Sequence, residues 1–444
     1  MQKLVDVVDQ HRERIMKTAQ YIWENPETGY REAKTAKYME EQFLSLGYDI
    51  VRAEDIPGFY TILDTGREGP EILVLCELDS IICPAHPNAD PATGAAHSCG
   101  HHAQCAAMIG IAAALKQPGA LDGLCGRIRL CAVPAEELLE IEYRSQLMAE
   151  GKIRYFGGKP EFLSRGYFDG VDMALMVHTT TGKDFCCQLG SVGCIAKRII
   201  YKGKAAHAGG SPWLGKNALY AATCGLNACN ALRETFEEGD IIRFHPILTH
   251  GGDMVNAIPE TAVIETYVRG KSFEAMKKIN DRMNRALCGA ALSLGTQIEI
   301  IDRPGYGPLE NAPAMVELAE EAVHRALPHR RFYTTGGYSS GSTDMGDLSA
   351  IMPVVHPYAP GAVGTAHGND YFIEDGELAY VESAKWQLGM LWLLLSEGGA
   401  RARKIKAEYK PVFAGKEEYL AFCDALTRTG DRIVYEDGLV TVQL

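Results

Sequence analysis

Short apolar runs alternate with helical stretches along the first part of the chain, and this alternation restricts the fold more than any other feature. Four runs with the length of buried strands lie at residues 59–63, 72–76, 128–133 and 171–177. Helical stretches lie before and between them, at residues 4–25, 32–47 and 103–116. Strands that alternate with helices favour a mainly parallel sheet with helices on both faces. We therefore expect an α/β fold here.

The middle of the chain has a different order of elements. It predicts a strand, a helix, two strands, a helix and a strand at residues 192–202, 214–232, 241–250, 261–269, 272–293 and 296–301. This β-α-β-β-α-β order is that of the split-βαβ (ferredoxin-like) sandwich, a self-contained small domain. Because 444 residues exceed what one core usually serves, we expect several parts. They are a large domain at 1–190 and 304–400, an inserted domain at 191–303, and a C-terminal extension at 401–444 that ends in a hairpin.

Charge and composition exclude several classes of partner. The net charge of −13 argues against binding nucleic acid or an anionic membrane through a basic face. No apolar run reaches membrane-spanning length, and the first residues lack the apolar core of a signal peptide. The 13 cysteines are scattered, mostly within apolar runs, as in a protein with reduced thiols. These features predict a cytoplasmic protein.

The segment His97-Ser-Cys99-Gly-His101-His102 is the most informative motif. A thiolate and an imidazole separated by one glycine can converge on a metal ion where a loop enters a helix. Taken alone, such a triplet is more often accidental than functional. A catalytic pair of Cys99 and His101 is the weaker alternative, because a base normally faces its nucleophile from a separate chain segment.

Acidic residues follow two of the predicted strands directly. Glu77 and Asp79 come after the run at 72–76, and Glu136 and Glu137 come after the run at 128–133. Open α/β sheets place their sites at the carboxyl ends of strands, where the metal triplet is also expected. Adjacent glutamates usually mark a solvated turn, but a position directly after a buried strand favours desolvation. Two such carboxylates can divide the labour, one on a metal and one as a proton shuttle.

Two histidines complete the set. His178 follows the run at 171–177, and His367 lies in Gly364-Thr-Ala-His-Gly. Either histidine alone is more often a satisfied structural residue than a ligand. Cys99, His101 and Glu137 are nevertheless expected at the same sheet edge as His178, and this coincidence favours a metal site.

In their order, these motifs resemble those of the M20 metallopeptidases, in particular their amidohydrolase branch. The motifs are Glu-x-Asp at 77–79, Cys-Gly-His at 99–101, Pro-Ala-Glu-Glu at 134–137, Val-His at 177–178 and Ala-His at 366–367. The Asn-Ala-Ile-Pro turn at 256–259 is also similar to that family, and Ser-Thr-Asp-Met-Gly at 342–346 resembles its dipeptidase and aminobenzoyl-glutamate members. The resemblance covers about residues 10–398.

The resemblance implies a site with two divalent ions. Its implied ligands are Cys99 in the bridging position that other members give to aspartate, His101 and His178 on one ion, and Glu137 and His367 on the other. Glu136 would be the general base, and Asp79 would orient a ligand. A thiolate ligand makes zinc the first choice, and imidazole and carboxylate also accept manganese.

The same resemblance makes the inserted domain a lid and a dimerisation domain. His207 and Asn256 would contact the carboxylate of the substrate or its developing oxyanion, and Arg269 is a further candidate for that carboxylate. The alternatives are a local turn cap for Asn256 and a surface arginine for Arg269. The implied partners are a second copy of the chain and a small amide with a free carboxylate, such as a dipeptide or aminobenzoyl-glutamate.

Three departures from the family pattern stand out. His102 replaces an Asp or Asn, and Gln104 replaces a histidine found in many auxin-conjugate hydrolases. Residues 138–172 form a longer segment without the usual glycine-rich turn, which predicts an altered pocket wall.

Two alternative functions stay open from the sequence. An N-acyl amino acid deacylase (aminoacylase) needs the same metals and the same carboxylate anchor. A non-catalytic binding homologue would keep the fold, but it has no need of a base such as Glu136.

Overall fold

A computed structural model describes residues 1–436 and 439–443, which divide into two compact units. The first unit comprises Met1–Gly190, Leu309–Gly337 and Thr343–Lys416. The second comprises Ser191–Pro308, Tyr338–Ser342 and the chain from Glu417 onward. Among the described residues, no helix combines the length and apolar character that crossing a bilayer requires.

The first unit is built on a six-stranded sheet that is mostly parallel. In spatial order its strands are Val51–Arg52, Phe59–Asp64, Arg127–Val133, Glu71–Glu77, Met173–Leu175 and Val354–Val355. The first two strands are antiparallel to their neighbours, and the remaining pairs are parallel. Every residue of Glu71–Glu77 is buried, so both faces of the central strand are covered. The expected α/β class with a mainly parallel sheet is confirmed.

Helices account for most of the remaining core of this unit. They are Gln2–Gln10, Arg12–Trp23, Ala33–Ser45, His101–Leu115, Ile141–Ala149, Gly158–Ser164, Pro313–Ala326, Met345–Ser349, Ser383–Leu395 and Ala400–Glu408, with a π-helical segment at Glu377–Glu382. The stretch predicted as one helix at 4–25 is interrupted at His11, whose backbone leaves helical geometry. Helix His101–Leu115 is buried along its whole length, and it begins within the predicted metal motif.

Three smaller sheets lie in or beside the first unit. Two of them are single pairs, Ile81–Ile82 with Ala95–Ala96 and Ala362–Val363 with Phe372–Ile373. The third has five strands: in spatial order they are Leu309–Glu310, Phe185–Ser191, Tyr358–Ala359 and His178–Thr179, and Phe332–Ser339 also pairs with Phe185–Ser191. The strand predicted at 171–177 is shorter in the structure, where it spans only Met173–Leu175. His178 opens a second strand because its N–H pairs with the carbonyl of Pro357 at 2.9 Å, beside Tyr358–Ala359.

The second unit has an antiparallel sheet with two long helices. In chain order its elements are Gly193–Lys202, Ala218–Ala231, Arg243–Phe244, Ile247–His250, Thr261–Gly270, Phe273–Ser293 and Gln297–Tyr306. The central strands Gly193–Lys202 and Thr261–Gly270 pair with each other over their full length. Gln297–Tyr306 pairs on one side of them, and Arg243–Phe244 and Ile247–His250 pair on the other. Apolar residues of both helices and of the strands form one core.

The C-terminal segment covers one edge of this antiparallel sheet. Beyond helix Lys416–Leu426, Arg428 accepts a hydrogen bond from the Asp302 N–H at 2.9 Å, and the Arg432 N–H donates to Ile298 at 2.8 Å. The strands Ile433–Glu436 and Leu439–Val442 pair antiparallel, as the expected hairpin requires; residues 437 and 438 lie outside the described residues. The extension thus pairs with the outer side of Gln297–Tyr306.

Candidate metal centre

The two central strands of the first unit end side by side and bring the acidic motifs together. Glu71–Glu77 and Arg127–Val133 are parallel, and the Leu78 N–H donates to the Val133 carbonyl at 3.0 Å. Asp79 and the Glu136–Glu137 pair therefore leave the sheet at the same edge, as parallel strands require. The side chains of all three are buried.

Gly100 gives the Cys-Gly-His motif its shape. Its φ of +92° lies in the left-handed region, and a Cβ there would clash with Thr179 Oγ1 and Tyr371 Oη. Glycine is therefore required at this position. The turn lets Cys99 and His101 face the same space, in which Cys99 Sγ lies 3.4 Å from His178 Nε2.

The structure brings the five predicted ligands into two groups that share one residue. Cys99, His101 and His178 form one group, and Cys99, Glu137 and His367 form the other. Within each group the potential ligand atoms lie within 4.8 Å of one another. Thiolate, imidazole and carboxylate are the donors that zinc and similar ions take, so the donor set fits two ions that share Cys99.

His367 reaches this place from a strained loop. Its φ of +64° is unusual for a residue other than glycine. Its backbone N–H donates to the Ser98 carbonyl at 2.8 Å, and its Nε2 lies 3.2 Å from Glu137 Oε1. Strained backbone of this kind is frequently found at functional sites. The side chain is 53% exposed, so this side of the centre is open to solvent.

Hydrogen bonds to the second ring nitrogens orient the histidines. Nδ1 of His101 lies 3.0 Å from the carbonyl oxygen of Asp79 and 3.1 Å from its carboxylate. Nδ1 of His178 lies 2.9 Å from the Thr179 carbonyl oxygen. In both rings these acceptors hold the proton on Nδ1 and leave Nε2 as the ligand atom. The other oxygen of Asp79 accepts the Glu137 N–H at 2.8 Å, which ties both groups together.

The side chains of the centre carry opposite charges in the absence of metal. Burial and Glu137 oppose ionisation of Cys99, but His101 and His178 outweigh them and lower the pKa of the thiol to about 6. Burial disfavours charge on Glu137 as well, yet hydrogen bonding and charge from His367 lower its pKa to about 2. Hydrogen bonds that the His367 ring donates to Cys99 and Glu137 raise its pKa to about 11.

Glu136 has a different environment from its neighbour. Its side chain is 8% exposed, and Oε2 lies 3.9 Å from His101 Nε2. Burial raises its pKa well above the ordinary value, and Glu77, Glu137 and Asp344 add to the shift. The turn before it is strained, since Ala135 has a φ of +55°. Two adjacent carboxylates with opposite pKa shifts are the pattern expected when one binds charge and the other carries a proton.

Three residues around the centre had no role predicted for them, although Glu77 and Asp344 lie in the motifs named above. Glu77 lies 3.2 Å from His101 Nε2, and with His101 and Glu136 it forms a third group of potential ligands. Lys159 and Asp344 are fully buried behind Glu77. Glu77 was expected at this edge because it ends the strand that Asp79 follows. Lys159 gave no signal, since lysine is rarely buried.

The remaining predicted residues lie in the second unit. His207 is exposed, and its Nδ1 accepts the N–H groups of Gly209 at 3.2 Å and Gly210 at 2.9 Å. Asn256 is exposed, and its carbonyl accepts the Ala208 N–H at 2.9 Å; its side chain makes no hydrogen bond to another described residue. Arg269 donates to Ser342 Oγ at 2.7 Å. The first unit therefore holds the predicted metal ligands, Asp79 and Glu136, and the second unit holds the predicted substrate ligands.

Fold and donor set together define a candidate dinuclear metallohydrolase. Residues 82–386 match the sequence model of peptidase family M20/M25/M40, and the chain belongs to this family. The expectation of an M20-type enzyme that acts on amide or peptide bonds is thereby confirmed. The Xaa-Arg dipeptidase of Mus musculus is 24% identical over 420 residues, 91% of this chain and 88% of that protein. One polypeptide of the p-aminobenzoyl-glutamate hydrolase from Escherichia coli is 28% identical over 334 residues, 73% of this chain and 64% of that polypeptide.

Solved structures show the same fold. A dinuclear metal-binding M20 peptidase from Bacillus subtilis gives a TM-score of 0.64 at 20% identity, covering 87% of this chain and 99% of that one. An aminobenzoyl-glutamate utilization protein from Klebsiella pneumoniae gives a TM-score of 0.67 at 20% identity, covering 89% and 99%.

Proposed function

We propose that this protein is a two-metal amidohydrolase that cleaves the amide bond of a small substrate with a free carboxylate. The observation that carries the proposal is the sharing of Cys99 between two ligand groups with the buried Glu136 beside them. Dipeptides, aminobenzoyl-glutamate and similar amino-acid conjugates are the substrate class. The names of the two relatives, a dipeptidase and an aminobenzoyl-glutamate hydrolase, support this class.

Cys99 would bridge two ions, with His101 and His178 on one and Glu137 and His367 on the other. Zinc is the first choice because of the thiolate, and manganese is the second. Two such ions, when bound, polarise the scissile carbonyl and lower the pKa of the attacking water. The donor set supports this assignment, since each residue offers an atom that these ions accept.

Glu136 would take the proton of the attacking water and pass it to the leaving amine. Burial raises its pKa above the ordinary value, and a raised pKa makes the carboxylate a stronger base. Asp79 would hold the His101 ring in place through the contact at 3.1 Å. In the second unit, His207 would stabilise the oxyanion, and Asn256 and Arg269 would bind the carboxylate.

We further propose that the second unit acts as a lid and forms a homodimer. Its strand Ile247–His250 pairs with Thr261–Gly270, and its other side pairs with no strand in the described part of the chain. Ile247 is 62% exposed, and Leu248 is 44% exposed. An apolar edge strand of this kind is a template for pairing with a second chain.

A cytoplasmic location is part of the proposal. The 13 cysteines are all free thiols, and most of them are buried. This state suits a reducing compartment.

The test joins metal analysis to a hydrolysis screen over dipeptides, N-acyl amino acids and aminobenzoyl-glutamate. Wild type should bind two ions and hydrolyse at least one substrate class. Glu136→Gln should keep both ions and lose at least about 10²–10⁴-fold in kcat. Cys99→Ala should lose ions and activity together, while Cys83→Ala, which changes a thiol outside both ligand groups, should lose neither. Full hydrolysis in the presence of a chelator would refute the proposal.

A further inference from the structure

A fully buried lysine lies beside the candidate metal centre with no role in the chemistry above. Nζ of Lys159 lies 2.5 Å from Glu77 Oε1 and also donates to Asp344 Oδ1. The backbone N–H of Lys159 donates to the second oxygen of Asp344 at 2.9 Å. All three side chains are at most 1% exposed. Because an unpaired buried charge costs several kcal/mol, the two carboxylates and the lysine depend on one another.

Glu77 connects this buried ion cluster to a predicted metal ligand. Its Oε2 accepts the Gln104 side-chain N–H at 2.7 Å and lies 3.2 Å from His101 Nε2. The Gln104 carbonyl in turn accepts the backbone N–H of Glu77 at 3.0 Å. Lys159 therefore holds one oxygen of the carboxylate, and Gln104 holds the other.

The position of Glu77 affects how an ion can reach His101, because the two side chains are in contact. Asp79 occupies Nδ1 of His101, so Nε2 is the nitrogen available to an ion. A carboxylate that moved closer to Nε2 would fill the space beside this nitrogen in which an ion has to lie. The hydrogen bonds that Lys159 donates to one oxygen and Gln104 to the other work against that movement.

We propose that Lys159 is a positioning residue of the metal centre, which holds Glu77 beside His101 without letting it occupy the ligand nitrogen. This inference rests on the proposed two-metal function. It also gives a role to the segment 138–172, whose second helix, Gly158–Ser164, carries Lys159.

Lys159→Met, Glu77→Gln and the double variant test the proposal, with Zn²⁺ alone as the probe. Ion dissociation constants come from competition with a chelator, and kcat and KM are measured at saturating metal. Lys159→Met should weaken ion binding at least about tenfold, the loss expected when a partner that orients a ligand is removed. In the Glu77→Gln background, Lys159→Met should change the dissociation constant and kcat less than about threefold, because Lys159 acts through Glu77.

Lys197→Met is the matched control. Lys197 is also fully buried and pairs with Asp302 in the second unit, so its loss should lower the unfolding temperature and leave ion binding unchanged. If Lys159→Met does not fold, both Lys159→Met and Glu77→Gln are made together with Asp344→Asn, which removes all three charges of the cluster, and the comparison with Glu77→Gln/Asp344→Asn decides the question. Wild-type ion binding in Lys159→Met, or additive losses in the double variant, would overturn the proposal. Failure of wild type to bind Zn²⁺ would instead refute the two-metal function itself.

Discussion

The carboxylate of Asp79 lies 3.1 Å from Nδ1 of His101 while its other oxygen accepts the backbone N–H of Glu137 at 2.8 Å. One buried side chain thus fixes a ring of the first ligand group and the backbone of the second. Such partners determine the tautomer and the orientation of a ligating histidine. The proposed dinuclear site therefore depends on a residue that would not itself bind metal.

Asp79→Ala should weaken ion binding or activity by about 10–100-fold, the usual effect of removing an orienting carboxylate. The backbone carbonyl of Asp79 would still accept from His101, so the loss should be smaller than for Cys99→Ala. Chelator competition measures the dissociation constants. Asp64→Ala is the control, because Asp64 also ends a strand of the same sheet but is exposed. Equal ion binding in wild type and Asp79→Ala would remove Asp79 from the proposed site.

Ion binding should release protons and tighten as the pH rises. In the metal-free protein, hydrogen bonds that the ring donates to Cys99 and Glu137 raise the pKa of His367 to about 11, so its ring is protonated at neutral pH. An ion can bind this ring only after the proton leaves. Between about pH 6 and 9, the affinity of the site for the ion should therefore increase by about tenfold per pH unit for each proton released.

Below about pH 6 the dependence should become steeper. The pKa of Cys99 is lowered to about 6, by His101 and His178 against the effect of burial and Glu137, so the thiol also carries a proton there. Titration calorimetry in buffers of different ionisation enthalpy counts the released protons. A dissociation constant that is independent of pH across this range would contradict the assigned ligands.

The place of the acidic residues in the candidate metal centre was predictable, because they follow buried strands. A run such as 128–133 can be recognised from composition alone, and parallel pairing then places whatever follows it at one edge. Glu137 reaches the edge for this reason, and Cys99 and His101 lie where a loop enters the helix His101–Leu115, as the motif predicts. His367 was a candidate from its motif, but its place among the ligands came only from the resemblance to a family, since its loop has no periodic pattern and its backbone is strained.

The supporting residues were not predictable, because their burial depends on contacts between distant segments. Arg144 is 1% exposed and donates to the backbone carbonyls of Glu137 and Phe156. Because arginine is rarely buried, its identity alone does not indicate this role. The prediction that residues 138–172 form an altered pocket wall stays a prediction. In the structure, Arg144 and Lys159 of this segment contact the acidic residues of the centre.

Leu248→Lys should convert the proposed homodimer into a monomer. Leu248 lies in the edge strand Ile247–His250 and is 44% exposed, and a charged residue on an edge strand opposes pairing with another chain. The opposite edge of the sheet is already covered by the C-terminal segment. Light scattering after size-exclusion chromatography measures the mass. Leu44→Lys is the matched control, because Leu44 is 48% exposed in the first unit. A wild-type monomer with full activity would contradict the proposed dimer.

Amidation of the substrate's carboxylate should lower kcat/KM by about ten- to a hundredfold, because a charge-assisted hydrogen bond contributes about 1.5–3 kcal/mol. The prediction rests on Asn256, which is exposed and whose side chain makes no hydrogen bond to another described residue. A turn cap, the alternative duty for this asparagine, would require such a bond. A polar side chain without a structural partner is available to a ligand.

The measurement compares one good substrate with its C-terminal amide, in wild type and in Asn256→Ala. If Asn256 binds the carboxylate, the variant should lose activity on the acid and show little further loss on the amide, so the two effects should not add. Asn230→Ala is the control, since Asn230 is also exposed but lies near the end of helix Ala218–Ala231. Arg269→Met, made in the same series, should show the same pattern if Arg269 shares the carboxylate. Equal kcat/KM for acid and amide in wild type would refute carboxylate recognition, and the substrate class proposed for this enzyme would have to be abandoned with it.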